Sequence, residues 1–458
     1  MAVPAAAARD DLARSAFADA WLWFGTAAYA AIYFILGAIR YGAHRNFVDL
    51  GIFAQTAASA FGCFCNTIEG SHWSFHFSPV LYLAGALMRV WPSALSLIAL
   101  QAVAGALAIP PVYALVRAHA DRRAARLAAL VVFLYPPLAG VVFNDFHENG
   151  LAPAAVAWML WAFDARRAAW AIVFTLLALS VKEDQAIFVV IAGAAGAIAY
   201  RGDRTRLGLA LFACIAGAAV AAGYFAIGHP HSAGRFYAWT PGDVSALVPR
   251  GVLERVGFVL LAFVPLLFLP FRTPALLVTL LPLAEVLASR MPTTYTMGSH
   301  YAGAWAGWVF YTFAMGIAQL WSHDRHKAHR ALYWCVALCV AEFAAADPLH
   351  PGYFLHARAA RDTALDTFIG TLPRDVSLAT QEEVYTHMAA TDPNAALLPE
   401  TPEQPVSACA ILTDAGFPDS PRLQESKSLV TRLVRSGAYR VSAQRGGIIL
   451  YTKTGRCP

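Results

Sequence analysis

QAVAGALAIPPVYALVRAHADRRAARLAALVVFLYPPLAGVVFNDFHENG, residues 101–150, decides the fold. The stretch is apolar to Val116, crosses the Arg-rich RAHADRRAAR at 117–126, is apolar again to Phe143, and ends in the acidic and histidine-bearing NDFHENG at 144–150. In lipid, backbone groups must be satisfied within the segment, so only helices and closed barrels span. These runs do not alternate as barrel strands would, so the segment reads as two helices that leave basic residues at one end and acids at the other. The same reading extends outward. The chain has 458 residues, 58% hydrophobic and only 14% charged, with a mean hydropathy of +0.51. That composition leaves too little polar surface for a soluble globule. Apolar stretches recur from Trp21 to Ala346, which predicts an all-α polytopic membrane domain of about eleven transmembrane helices. The first of them, Trp21 to Leu36, reads as a retained anchor rather than a cleaved leader.

Lys and Arg collect in inner loops. The segments 117–126, 164–168, 201–206, 271–274 and 322–330 all fall on one side if Pro92 to Val116 is the second span and Ser78 to Trp91, too short to cross, lies at the outer interface or re-enters. The opposite, outward side then receives 41–91, NDFHENG, KEDQ at 182–185, 229–255, 289–302 and everything after Ala346. Because the net charge of +5 is mostly inner-loop anchoring, the chain shows no footprint for nucleic acid.

Two domains follow. Residues 1–346 form the transmembrane part, with an outward loop and juxtamembrane helices at 41–91; residues 347–458 form a small outward α/β domain. In the latter, DVSLAT, NAALLPE, ACAILTDA and IILYTK read as strands, EEVYTHMAA and ESKSLVTRLVRSGA as amphipathic helices, and Gly446-Gly447 as a hairpin turn. Cys63, Cys65, Cys409 and Cys457 lie outward, where disulfides persist; Cys409 with Cys457 is one plausible bridge, and CFC reads as a loop disulfide before it reads as a metal motif.

Depth points to the site. The fourteen residues 168–181 between Arg167 and Lys182 reach roughly 21 Å as helix, short of a hydrocarbon core of about 30 Å. Lys182, Glu183 and Asp184 therefore sit below the outer surface, and the short run after NDFHENG puts Asp145, His147 and Glu148 at similar depth. Charges at that depth imply a polar, outward-opening cavity. Each residue also has a plainer reading. Asp184 could cap a helix starting at Gln185, and Lys182 could snorkel with Glu183 as its partner. His72 and His76 suit an interfacial belt as well as a site. Asp49 begins an amphipathic helix, with Leu50, Phe53, Ala57 and Phe61 on one face, and is a natural N-cap.

The ordered set FVDLGIFAQ, HFSPVLYL, QAVAGALAIPPVYALVR, LYPP, NDFHENGLAP, VKEDQAIF, SHYAG and DVSLAT resembles a family of prokaryotic multi-pass membrane proteins defined as a domain of unknown function. The likeness covers the chain from about residue 41 onward. That family in turn resembles the GT-C superfamily of membrane glycosyltransferases, which includes protein O-mannosyltransferases and lipid A aminoarabinose transferases. The resemblance implies a first-loop catalytic acid at Asp49 and a second acidic loop holding Asp145, His147 and Glu148. It departs from the better-known enzymes in lacking an acidic pair, since Leu50 follows Asp49.

On that basis the expected activity is transfer of a sugar from a polyprenyl-phosphate-linked donor to a lipid, glycan or protein hydroxyl at the outer face of the plasma membrane. Asp49 would be general base. Asp145, His147 and Glu148 would position the acceptor or, with Asp49, hold a divalent cation. Lys182, with Glu183, Asp184, His76, His300 and Tyr301, would bind substrate and phosphate. Arg235, Arg250, Arg255 and Arg290 are further phosphate candidates. A transporter or flippase of an anionic lipid or solute would use the same cavity without covalent chemistry, and a non-catalytic surface binding protein would not need the cavity acids.

Overall fold

Proline and charge, more than length, set where the helices of this chain stop. The computed structural model describes residues 16–228, 249–289, 291–373, 376–399, 401, 403–417 and 420–457. Three helical stretches there are long and apolar enough to cross a membrane: Ala20–Gly42, Ala94–Arg117 and Arg204–Phe225. A fourth candidate is the pair Arg122–Phe133 and Pro136–Phe143, bent by 49° where the YPP of 135–137 removes backbone donors. Ala168–Leu179, expected to span, is a shorter piece, and so is Leu81–Val90, in the stretch read as too short to cross. The architecture is thus a mostly helical, membrane-like domain followed by a mixed sheet. The broken helices are where the polar loops enter.

The chain divides into two units. The first comprises the residues through Phe34, His76–Val80 and Gln101–His350; the second comprises Ile35–Phe75, Leu81–Leu100 and the residues from Pro351 on. In the first unit, the Arg-rich loops meet at their own ends. Arg126 holds Asp19, just ahead of the first helix, with Nη2 to Oδ1 at 2.8 Å and Nε to Oδ2 at 3.0 Å, while the Tyr113 hydroxyl donates to Oδ2 at 2.7 Å. Arg126 above all keeps the Asp19 carboxyl at about 2. Arg123 donates to the Tyr333 hydroxyl at 2.7 Å, and His329 lies 3.2 Å from Asp121, so the loops at 117–126 and 322–330 share one end. Arg166 pairs with Asp203 at 2.7 Å, joining 164–168 to 201–206 in the same way.

In the second unit a five-stranded sheet has the order β2-β1-β3-β5-β4, with β1 Leu378–Thr380, β2 Ala395–Leu397, β3 Ala410–Asp414, β4 Tyr439–Arg445 and β5 Ile448–Lys453. β1 pairs parallel with β2 and β3, and β5 runs antiparallel between β3 and β4. Arg445 opposite Ile448 closes a two-residue hairpin whose first residue, Gly446, has φ +59°, the conformation that favours glycine there. Ala379, Leu398, Ile411, Val430 and Tyr439 form the core. Cys409 and Cys457 are bonded, with Cα atoms 5.4 Å apart, as are Cys63 and Cys65.

The first-loop helix corrects the sequence reading. It spans Val48–Ala58 and is capped by Phe47, so Asp49 sits inside the first turn and is not the N-cap. Nor does the helix lie on a surface with one face buried, because Leu50 through Ala57 are all buried. Gln55 shows why: its Nε2 donates to Asp392 O, Pro393 O and Ala395 O, and its Oε1 accepts from the Tyr385 hydroxyl at 2.9 Å. A Cβ on Gly51 would come 2.4 Å from the Tyr385 ring, so glycine permits the close approach.

Candidate functional site

Gln101, the first residue of the deciding stretch, organises the acidic loop. Its Oε1 accepts from His147 N at 3.0 Å, and its Nε2 donates to Val141 O and Asn144 O at 3.0 Å each. A buried amide that satisfies carbonyls left free at the end of Pro136–Phe143 fixes the loop that follows. Gly150 fits against this glutamine, and Gly303 fits against the carbonyl of Asn149; added Cβ atoms would stand 2.6 Å and 2.2 Å from those oxygens. The HENG turn and the start of the helix Ala302–His323 are thereby pressed together.

Glu148 is fully buried and lies between two basic groups. His147 Nδ1 is 2.8 Å from its Oε2, and Lys182 Nζ is 3.3 Å from its Oε1. Lys182 is the N-cap of Glu183–Ala199, so the helix starts one residue before Asp184, and Asp184 occupies the first turn without being the cap. Glu183 reaches the other way, accepting from Phe77 N at 2.9 Å and meeting His76 Nδ1 at 2.9 Å. The ring of His300 stacks on that of His147 at 3.9 Å, and Tyr301 follows at 4.2 Å from His300.

Burial pushes the His147 and His300 rings below the ordinary imidazole value. Burial also opposes ionisation of Glu148 and Lys182, but each is outweighed by its neighbours. His147 and Lys182 hold the Glu148 carboxyl well below its usual range, and Glu148, Glu183 and Asp184 hold the Lys182 ammonium above its own. Both shifts favour the ion pair between Glu148 and Lys182.

A cavity of about 210 Å³ adjoins it, lined by His76, His147, Asn149, Lys182, Asp184, Glu285, Ser289, Thr294 and Tyr301, among others. Eight residues singled out from the sequence thus gather in the first unit: His76, His147, Glu148, Lys182, Glu183, Asp184, His300 and Tyr301. Asp145 is buried beside them in the chain but does not line the cavity. Asp49 belongs to the second unit and is half-buried on its helix. Of the arginines, Arg255 spends its donors on Gly251 O, Leu287 O and Ser289 O, which makes it a clamp for the loop after Leu277–Ala288. Arg235 and Arg290 lie outside the described residues, as does the side chain of Arg250.

Sequence reasoning missed Glu285, Gln101 and Asn149. The signal for Glu285 was present, since it is an acid alone in the apolar run LVTLLPLAEVLA, and an intramembrane acid defaults to function.

Comparison with solved structures finds ArnT from Cupriavidus metallidurans bound to undecaprenyl phosphate, with a TM-score of 0.60 and 11% identity over 94% of this chain and 97% of that one. The apo form of ArnT matches with a TM-score of 0.57 and 12% identity, over 95% and 98%. An Archaeoglobus fulgidus oligosaccharyltransferase in complex with Zn and sulfate matches at 0.40 and 15%, over 93% and 73%. The first two establish a shared fold. No curated protein matches the chain. The model of the DUF2079 family, described as a predicted membrane protein, matches residues 45–230 and 246–450, and the chain therefore belongs to the DUF2079 family of membrane proteins.

Proposed function

We propose that the protein is a membrane glycosyltransferase that takes a sugar from a polyprenyl-phosphate-linked donor and passes it to a lipid, glycan or protein hydroxyl at the outer face of the plasma membrane. The observation that carries this reading is a buried Lys182, ion-paired to Glu148, on the wall of a polar cavity, in a fold shared with an ArnT solved with undecaprenyl phosphate bound. The ammonium has three donors. One faces Glu148; the reading assigns the others to the phosphate, where they offset the charge that grows on the leaving group. Tyr301, His76 and Asp184 line the same cavity and are assigned to substrate.

Asp49 is assigned the general base toward the acceptor hydroxyl, on family likeness. Asp145, His147 and Glu148 are assigned to positioning. A divalent ion at those three residues gains no support, because Lys182 already faces Glu148 and His147 is engaged with the same carboxylate.

Binding of undecaprenyl phosphate to the purified protein in detergent tests the phosphate assignment. Wild type should bind, and the pair Lys182→Met/Glu148→Gln, which removes both charges together, should bind at least about 10-fold more weakly, as expected for a lost charge-assisted contact. Equal affinity would remove Lys182 from the site. Binding by wild type without any turnover of a linked sugar would favour a flippase, and absence of both would favour a surface binding protein.

The orientation rests on the grouped Arg-rich loops. Cysteines placed at the exposed positions Arg123, Arg204 and Lys327 should label only from the cytoplasm, and one at exposed Ser442 only from outside. Cytoplasmic labelling at Ser442 would overturn it.

A further inference from the structure

Two residues beyond the end of Ala20–Gly42, His44 turns the chain at φ +54°, in the left-handed region that residues other than glycine seldom enter. Its ring is fully buried, and neither nitrogen makes a hydrogen bond of acceptable geometry. Nε2 lies 3.1 Å from Asp366 Oδ1, and Nδ1 lies 3.8 Å from Asp362 Oδ1. A second imidazole approaches the same oxygen, with His387 Nδ1 3.3 Å from Asp366 Oδ1.

The proton on His387 can be placed. Its Nε2 is 3.0 Å from the carbonyl oxygen of Tyr41, which can only accept, so Nε2 carries the hydrogen and Nδ1 of the neutral ring presents a lone pair. That lone pair faces a carboxylate oxygen, itself an acceptor, and a buried imidazole edge faces the same atom. The His387 lone pair and the carboxylate oxygen repel each other, and a cation held between them would relieve that repulsion.

The spacing fits a metal ion. One nitrogen from each histidine and one oxygen of Asp366 lie within 4.8 Å of one another. Bonds of about 2.0–2.1 Å at tetrahedral angles put ligand atoms about 3.3 Å apart, and the two nitrogen-to-oxygen distances are 3.1 and 3.3 Å. Outer partners are in place as well: the Tyr41 carbonyl orients His387, Asp362 stands beside the far nitrogen of His44, and Arg358 pairs with Oδ2 of Asp366, leaving Oδ1 to the ion. The two rings are stacked, with centroids 3.7 Å apart and 15° between planes, so closing on an ion requires one of them to tilt.

The geometry points to a zinc site formed by His44, Asp366 and His387, with water as the fourth ligand. Two imidazoles and one carboxylate suit Zn²⁺ over Mg²⁺ or Ca²⁺, which take oxygen cages. All three residues belong to the second unit, where the ion ties the exit of the first helix to the helices Ala360–Gly370 and Glu382–Met388. The inference stands apart from sugar transfer.

The test uses full-length protein in detergent, stripped with a chelator and titrated with Zn²⁺ against a zinc-binding dye, with metal content counted by mass spectrometry. Wild type should hold one zinc that His44→Ala, Asp366→Ala and His387→Ala each lose, with affinity falling by more than the about 10- to 100-fold that an outer-shell loss costs. His387→Cys, which keeps a ligand at that position, should recover zinc and show that the loss in His387→Ala is not misfolding. His147→Ala should keep this zinc, separating the site from the cavity cluster. Stripped wild type that takes up no zinc, or ligand variants that bind it unchanged, would overturn the inference.

Discussion

Glu148→Gln is expected to lower the stability of the protein by about 3–5 kcal/mol, the cost of leaving a buried charge without its partner. Lys182 is only 10% exposed at its side chain and Glu148 not at all, so neither can turn to water when the other is lost. Thermal unfolding in detergent should show a fall in the midpoint for Glu148→Gln and a similar fall for Lys182→Met. The double variant Glu148→Gln/Lys182→Met should recover most of the loss, because an ion pair replaced by groups of similar volume is often close to neutral. Strict additivity, with the double variant falling by the sum of the two, would show that the pair is not coupled. The sign of the pH effect follows from the same pair. Glu148 is depressed in the fold, so its contribution is complete above the ordinary carboxylate value and is lost as pH falls; Lys182 is raised, so its share is complete at neutral pH and lost only in strong alkali.

This pair also marks how far the sequence can be read. Depth arithmetic placed KED and NDFHENG at the same level because helical rise converts residue count directly into distance, and the helix between Arg167 and Lys182 proves to be only Ala168–Leu179. The hairpin at Gly446 and four of the five strands of the C-terminal sheet carried local signals, short apolar runs bounded by turn residues. What the sequence could not supply was tertiary context. The helix Val48–Ala58 looked amphipathic because Leu50, Phe53, Ala57 and Phe61 fall on one face, yet Gln55 is buried too, bonding the carbonyls of residues more than three hundred positions away. Asp49 looked like a cap because an acid at the head of an amphipathic run is a favoured capping residue; the helix begins one residue earlier, at Val48. The meeting of His44 with Asp366 and His387 has no spacing signature at all, since its members lie on separate elements.

Asp49→Asn is the measurement that bears most directly on the central claim. The residue sits in the first turn of Val48–Ala58 and not at its cap, so an amide of the same size keeps the side chain's shape and gives up part of the carboxylate's attraction to the helix N-terminus, about 0.3–1 kcal/mol. The variant should therefore purify and melt nearly as wild type does. A general base, by contrast, contributes about 10²- to 10⁴-fold to rate. Wild-type protein in liposomes, supplied with polyprenyl-phosphate-linked sugars and with lipid, glycan or peptide acceptors, should release polyprenyl phosphate and form a glycosylated product. Folded Asp49→Asn should fall in that rate by about 10²-fold or more, while retaining the undecaprenyl phosphate binding that depends on Lys182. Transfer at the wild-type rate by Asp49→Asn, or no transfer by wild type with any such donor, would contradict the account.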